Sequence, residues 1–229
     1  MNRRDEILGR IREALRLRVH EPRRAATSDD RMRTGLTTRE WLPAVPNDPE
    51  AIVETFARNC LELRAQYYRV AGVPELSGKL SELKHSEGWK LIVSHREPIL
   101  DSILPSLGLP VLLAEDRPAT ADVERADVGI TGCDALIAQT GSILLTARSA
   151  GGRALSVLPP HHIVIARESQ LLPDLPAAFE LLNKTYGDAY PSLITFITGP
   201  SRTADIERIL VLGAHRPRIL TVILLRDPR

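Results

Sequence analysis

A chain of 229 residues with 43% hydrophobic content is long enough to bury one substantial core, and a formal charge of +1 gives no reason to expect nucleic acid or an acidic membrane as a partner. Two cysteines, Cys60 and Cys133, outside any CxxC pair, exclude a disulfide scaffold and argue against a structural zinc or an iron–sulfur cluster held by this chain alone. The opening MNRRDEILGR lacks the apolar stretch of a secretion signal, and no run approaches the roughly 20 apolar residues that cross a bilayer, so a soluble cytoplasmic protein is expected.

Taken in chain order, Ile7, Leu8, Ile11, Ala14 and Leu15 recur at three- and four-residue steps and predict an amphipathic helix within residues 1–21. Residues 22–40 are polar and aperiodic, contain Pro22 and Gly35, and read as an exposed linker to a domain spanning 41–229. The helix would dock on its own domain or on a partner. In PNDPEAIVETFARNCLEL, Asp48 is a cap, Pro49 suits the first helical position, and Ile52, Val53, Phe56, Cys60 and Leu63 form the buried side. Cys60 then reads as a core thiol.

Short strands QYYRVA, WKLIVS and PVLLAE alternate with helical ELSGKLSELKH and EPILDSILPSL. This is the βαβ pattern of a mostly parallel sheet covered on both faces. The stretch DVGITGCDALIAQTGSILLTARSAGGRALSVLPPHHIVIA has β-like runs between glycines and no helical-length period, predicting a smaller glycine-rich β segment. A helix near 173–183, a strand in SLITFIT, a helix in ADIERILVLG and a last strand in RILTVILL complete the α/β reading.

Several segments carry candidate chemistry. Gly132, Asp134, Gln139, Thr140, Gly141 and Ser142 form glycine-rich polar connections whose amide hydrogens and hydroxyls suit a carboxylate, phosphate or acyl oxygen. Ordinary turn bonding is the alternative. Cys133 beside them has no basic sequence neighbour to activate it. Gly199, Ser201, Arg202 and Thr203 follow a buried strand and open a predicted helix, an arrangement suited to anion binding or to simple capping. His161 and His162 point in opposite directions on a strand and make a poor metal site; His161, next to Pro159-Pro160, is the one preferred for a crevice edge. The favoured arrangement gathers Asp134, Thr140, Ser142, His161 and Arg202 around one crevice at the carboxyl ends of the strands, with no catalytic residue assigned.

Three blocks in fixed order, ADVGITGCDALIAQTGS, GGRALSVLPPHHIVI and ITGPSRTADIERILVLGAHRPRILTVILL, closely resemble the LutC/YkgG family, lactate utilization protein C, whose core is the LUD domain. The resemblance is tight over 126–225 and looser upstream. It implies a NagB/RpiA/CoA-transferase-like fold, a mostly parallel sheet with flanking helices. It also implies conversion of L-lactate to pyruvate together with companion proteins that carry iron–sulfur clusters. Family members usually have an acidic residue before Thr-Gly in the first block, whereas this chain has Gln139-Thr140-Gly141. The acidic-residue mechanism of CoA transferases is therefore not carried over, although the Gln139 amide can orient a ligand.

The sequence has no flavin or nicotinamide motif, and removing electrons from a hydroxy acid needs a cofactor. The expected role is a non-redox component that binds an anionic ligand or docks the iron–sulfur subunits, without metal, nucleic acid or membrane insertion. A homo-oligomer is compatible with this role. The alternatives are an independent acyl- or phosphosugar-handling enzyme, which would turn over a coenzyme A ester or sugar phosphate, and a scaffold that binds without turnover. If Arg202 contacts the anion, Arg202→Ala should weaken small-anion binding by about 1 kcal/mol or more in calorimetry on matched folded samples, and equal affinity would remove it from the site.

Overall fold

The first described helix starts where its punctuation lies. In α1 (Pro49–Glu62), Asp48 sits in extended backbone and accepts the Ala51 amide hydrogen at 2.9 Å, and Pro49 fills a position that needs no amide hydrogen. Val53, Phe56 and Cys60 bury one face. The computed structural model describes residues 44–187, 189–203, 211–212 and 216–227, all within one unit, Ala44–Arg229. The predicted amino-terminal helix, the linker and most of ADIERILVLG lie outside the described residues.

Beyond α1 come β1 (Gln66–Val70), α2 (Val73–Glu87), β2 (Ile92–Ser94), α3 (Pro98–Ile103), β3 (Val111–Leu113), α4 (Thr120–Arg125) and β4 (Val128–Thr131). Next are β5 (Ala135–Ile137), β6 (Ser142–Thr146), α5 (Arg153–Val157), β7 (His161–Arg167), β8 (Leu171–Leu172) and α6 (Leu175–Tyr186). The last elements are β9 (Ile194–Ile197), β10 (Arg202–Thr203), β11 (Val211–Leu212) and β12 (Ile219–Leu225). A six-stranded sheet has the order β1-β12-β7-β4-β2-β3 with every neighbouring pair parallel. A four-stranded mixed sheet, β8-β5-β6-β9, is the smaller β segment.

Alternation along the central strands decides the layers. Ile163 and Ile165 of β7, with Ile223 and Leu225 of β12, meet Leu76, Leu80, Leu100 and Ile103 from α2 and α3. The intervening Val164, Leu220, Val222 and Leu224 meet Phe56 and Cys60 of α1 and Leu136, Ile143 and Leu145 of the second sheet. The outer face of that sheet, Ala135, Ile137 and Leu144, is covered by Ala178 and Leu182 of α6. Fully burying each large aliphatic or aromatic side chain here contributes ~1.5–3 kcal/mol. No described helix is long and apolar enough to cross a membrane.

Two expectations need correction. Arg153–Val157 forms a helix, α5, inside the stretch read as strands and turns; a five-residue helix is too short to leave a period in sequence. Val211 and Leu212, read as helical, pair antiparallel with Thr203 and Arg202 instead, so β-prone residues follow their partner strand.

His162 is enclosed in the sheet, with Nε2 bonded to Thr131 Oγ1 at 2.9 Å and no partner for Nδ1 among the described residues. Burial, with His161 adjacent, pushes its pKa from 6.5 down to about 3. The unfolded chain takes that proton more readily, so the contribution of neutral His162 to stability is complete above about 6.5 and is lost as pH falls toward about 3. H162Q is expected to be less stable than wild type at neutral pH, yet to lose less stability on acidification to about pH 5 in urea unfolding. Equal slopes would assign the acid sensitivity to other groups.

Candidate functional site

In an open parallel sheet a crevice forms at the carboxyl ends of two adjacent strands whose connections leave in opposite directions. Strand β2 leads to its outer neighbour β3, whereas β4 leads across to β7 on its other side. The switch point therefore lies between β2 and β4. The chain leaving β2 there reads His95-Arg96-Glu97, and the chain leaving β4 reads Gly132-Cys133-Asp134.

His95 is 3% exposed, and its Nε2 accepts the Gly132 amide hydrogen at 3.2 Å. That bond makes the imidazole neutral with its proton on Nδ1. Burial pushes the His95 pKa below its ordinary value, against the pull of Glu115. The carboxyl of Glu97 lies over the Gly132 α-carbon, where a β-carbon would stand 2.1 Å from Oε2. Burial raises the Glu97 pKa, opposed by the Arg167 charge. Its Oε2 is 3.7 Å from His95 Nε2, too far for a hydrogen bond, and a neutral imidazole forms no ion pair with it. Gly151, at φ 61°, makes the matching space for His95, since a β-carbon there would stand 2.4 Å from His95 Cβ. The result is a neutral imidazole closed off from water beside a carboxyl whose side chain is 33% exposed. Burial thus moves the two pKa values toward each other, the arrangement of a pair that can hold or exchange a proton.

The residues singled out in sequence are distributed differently. Gly132 is at this switch point. Asp134 turns away and accepts hydrogen bonds from Ser149 Oγ and Tyr186 Oη, tethering α6 to the second sheet. Gln139, Thr140 and Gly141 make the β5–β6 turn, which packs on α1: Asn59 Nδ2 donates to the carbonyls of Ala138 and Gln139 at 2.7 and 3.1 Å. Gly141, at φ 63°, approaches Asn59 and Leu63 so closely that a β-carbon would stand 3.0 Å from each. The Gln139 amide hydrogen is taken by the Pro173 carbonyl, while Thr140 Oγ1 is buried without a partner among the described residues.

Ser142 Oγ lies 2.8 Å from Thr198 Oγ1, which joins the first and third blocks one residue before Gly199. The Ser201 amide donates to the Pro217 carbonyl, and Arg202 and Thr203 belong to β10, where they are described by backbone pairing alone. His161 is at the opposite end of the main sheet. As the first residue of β7 it pairs with Val128, the first residue of β4. Glu87 Oε2 accepts from its Nδ1 at 2.8 Å, and Thr221 Oγ1 is 2.7 Å from its Nε2. The structure thus does not bring Asp134, Thr140 and His161 to one crevice.

Sequence reasoning passed over His95 and Glu97. The local signal was HREP immediately after WKLIVS, two titratable groups in a strand-to-helix turn. A concavity of about 250 Å³ lies elsewhere, between Pro49, Ile52, Leu171 and Arg69. Its guanidinium is bound by Glu50 and, at 2.7 Å, by Glu168, so it offers no free cation to an anion. Among the described residues no cluster of His, Cys, Asp or Glu is arranged to hold a metal ion.

The LUD domain model matches residues 45–225. Lactate utilization protein C of Deinococcus radiodurans is 33% identical over 187 residues, 80% of this chain and 82% of that protein. Lactate utilization protein C of Geobacillus sp. strain WCH70 is 31% identical over 206 residues, 82% of this chain and 83% of that protein. The crystal structure of a DUF162 family protein from Deinococcus radiodurans superposes with a TM-score of 0.64 at 29% identity, covering 79% of this chain and 99% of that one.

Gly132→Ala tests the geometry of the pair. The new methyl occupies the place of the Glu97 carboxyl, the far end of a flexible side chain, so the fold should survive at a cost of about 1–3 kcal/mol. Carboxyl-carbon NMR titration should then find Glu97 moved down toward its ordinary 4.5. An unmoved titration would show that Gly132 does not set the Glu97 environment.

Proposed function

We propose a function from one premise: the chain belongs to the LUD-domain family of lactate utilization protein C. On that premise it is a component of a lactate-utilization system, acting in the conversion of L-lactate to pyruvate beside companions that carry iron–sulfur clusters. The observation that carries this reading is the family match across nearly all of the unit Ala44–Arg229, with relatives of that name covered over four-fifths of their own length. A fold of the NagB/RpiA/CoA-transferase type, an LUD domain over 41–229 and a cytoplasmic location belong to the same proposal.

The role is non-redox. Cys60 and Cys133 are too few to hold a cluster, and burial pushes both thiols up, Cys60 to about 12. Electrons leaving a hydroxy acid therefore pass to groups on the companions, and this chain binds an anionic ligand or docks those subunits. An independent acyl-handling enzyme has less in its favour: the turn holding Gln139 at the acidic position packs on α1.

Reconstitution with and without this chain tests the proposal. Lactate-dependent reduction of an electron-accepting dye by the companions should fall sharply when the chain is omitted. An unchanged rate removes the assignment.

A further inference from the structure

Glu97 is costly to keep where it is unless it has a task. Its Oε2 is buried with no hydrogen-bond partner among the described residues, and leaving such a group unsatisfied is unfavourable. Capping, the common reason for a carboxylate just before a helix, does not account for it, because Glu97 makes no side-chain cap bond to α3. The surrounding charges do not satisfy it either. Asp101 lies 3.3 Å from Arg96, Glu115 accepts the Arg96 amide hydrogen, and Arg167 attracts the Glu97 charge without forming an ion pair among the described residues. The space that admits the carboxyl exists because Gly132 lacks a side chain, and the space that admits His95 exists because Gly151 lacks one. Both groups stand where the strand connections diverge, the position at which open α/β sheets bind ligands.

We propose that His95 and Glu97, at the crevice between the carboxyl ends of β2 and β4, form a binding site for a small 2-hydroxy- or 2-oxo-carboxylate. The Glu97 carboxyl, whose pKa burial raises, donates in its protonated form to a carboxylate oxygen of the ligand, a charge-assisted bond stronger than a neutral one. Arg167 supplies positive field, and neutral His95 fixes the Gly132 amide through its 3.2 Å bond. The choice of hydroxy or oxo acid rests on the lactate-utilization reading; recognition of a carboxylate rests on the site itself.

Calorimetry of the full chain with L-lactate, pyruvate and acetate as probes tests this, at about pH 7.5 and about pH 5.5. Lactate or pyruvate should bind more tightly than acetate, and more tightly at the lower pH, as Glu97 takes up its proton. E97A should lose about tenfold or more in affinity at the lower pH. E97Q keeps an amide donor and cannot titrate, so it should bind with little pH dependence. His95, Asp101, Glu115, Cys133 and Arg167 are the titratable or charged groups acting on this pair, with Arg96 between its members, and pH dependence that persists in E97Q would assign the linkage to them and overturn the role of Glu97. Wild-type affinity in folded E97A, or no wild-type binding up to ~10 mM of either acid, would overturn the site. Should E97A fail to fold, the E97Q comparison still decides. If the reconstituted system needs the chain but the chain binds neither acid, this inference fails alone; if binding holds while the system runs without the chain, the function fails and the site stands.

Discussion

Strand β4 and the turn that follows it lack side chains at Gly129 and Gly132, and other parts of the molecule fill both gaps. A β-carbon at Gly129 would stand 2.2 Å from the Leu155 carbonyl oxygen of α5, and one at Gly132 would meet Glu97. Because β4 pairs with both β7 and β2, these close approaches fix how tightly α5 and the end of β2 gather around the middle of the sheet. The first contact is with backbone and cannot be relieved by a rotamer change, whereas the second is with a side-chain tip. One position therefore maintains the layer, and the other admits a polar group to it.

The distinctive first block, ADVGITGCDALIAQTGS, owes much of its character to architecture. Asp134 ties α6 to the second sheet, Gly141 lets α1 approach, and Ser142 joins β6 to the segment after β9. A turn rich in glycine and hydroxyl groups resembles a ligand cradle in sequence because both need unusual dihedrals and local donors. Here the cradle is largely filled by the protein itself. The chemically unexplained pair comes from another segment that faces the end of the block.

The alternating α/β order was legible because βαβ units leave periods of 2 and 3.6 in the chain, and the α1 start because Asp48-Pro49 acts locally. The pair His95–Glu97 was not legible, because its surroundings depend on which strand lies beside β2, a matter of strand order. The placement of His161 was in part readable. A strand entered from Pro159-Pro160 carries its first residue at its amino end, and in a parallel sheet ligand crevices form at the carboxyl ends. Proximity to the turn argued for the wrong end. The opposite facing of His161 and His162 did follow from sequence: the first bonds Glu87 and the second Thr131.

The order β1-β12-β7 also bears on how the molecule comes into being. Among the described strands, β1 is the earliest of the main sheet and pairs with β12 alone, and Gln66 and Thr221, which face each other across that pair, are 155 positions apart. During synthesis β1 must wait for this partner until the chain through Leu225 has left the ribosome. Closure of the sheet is thus a late, non-local event, slow by topology and exposed to aggregation until β12 slots between β1 and β7.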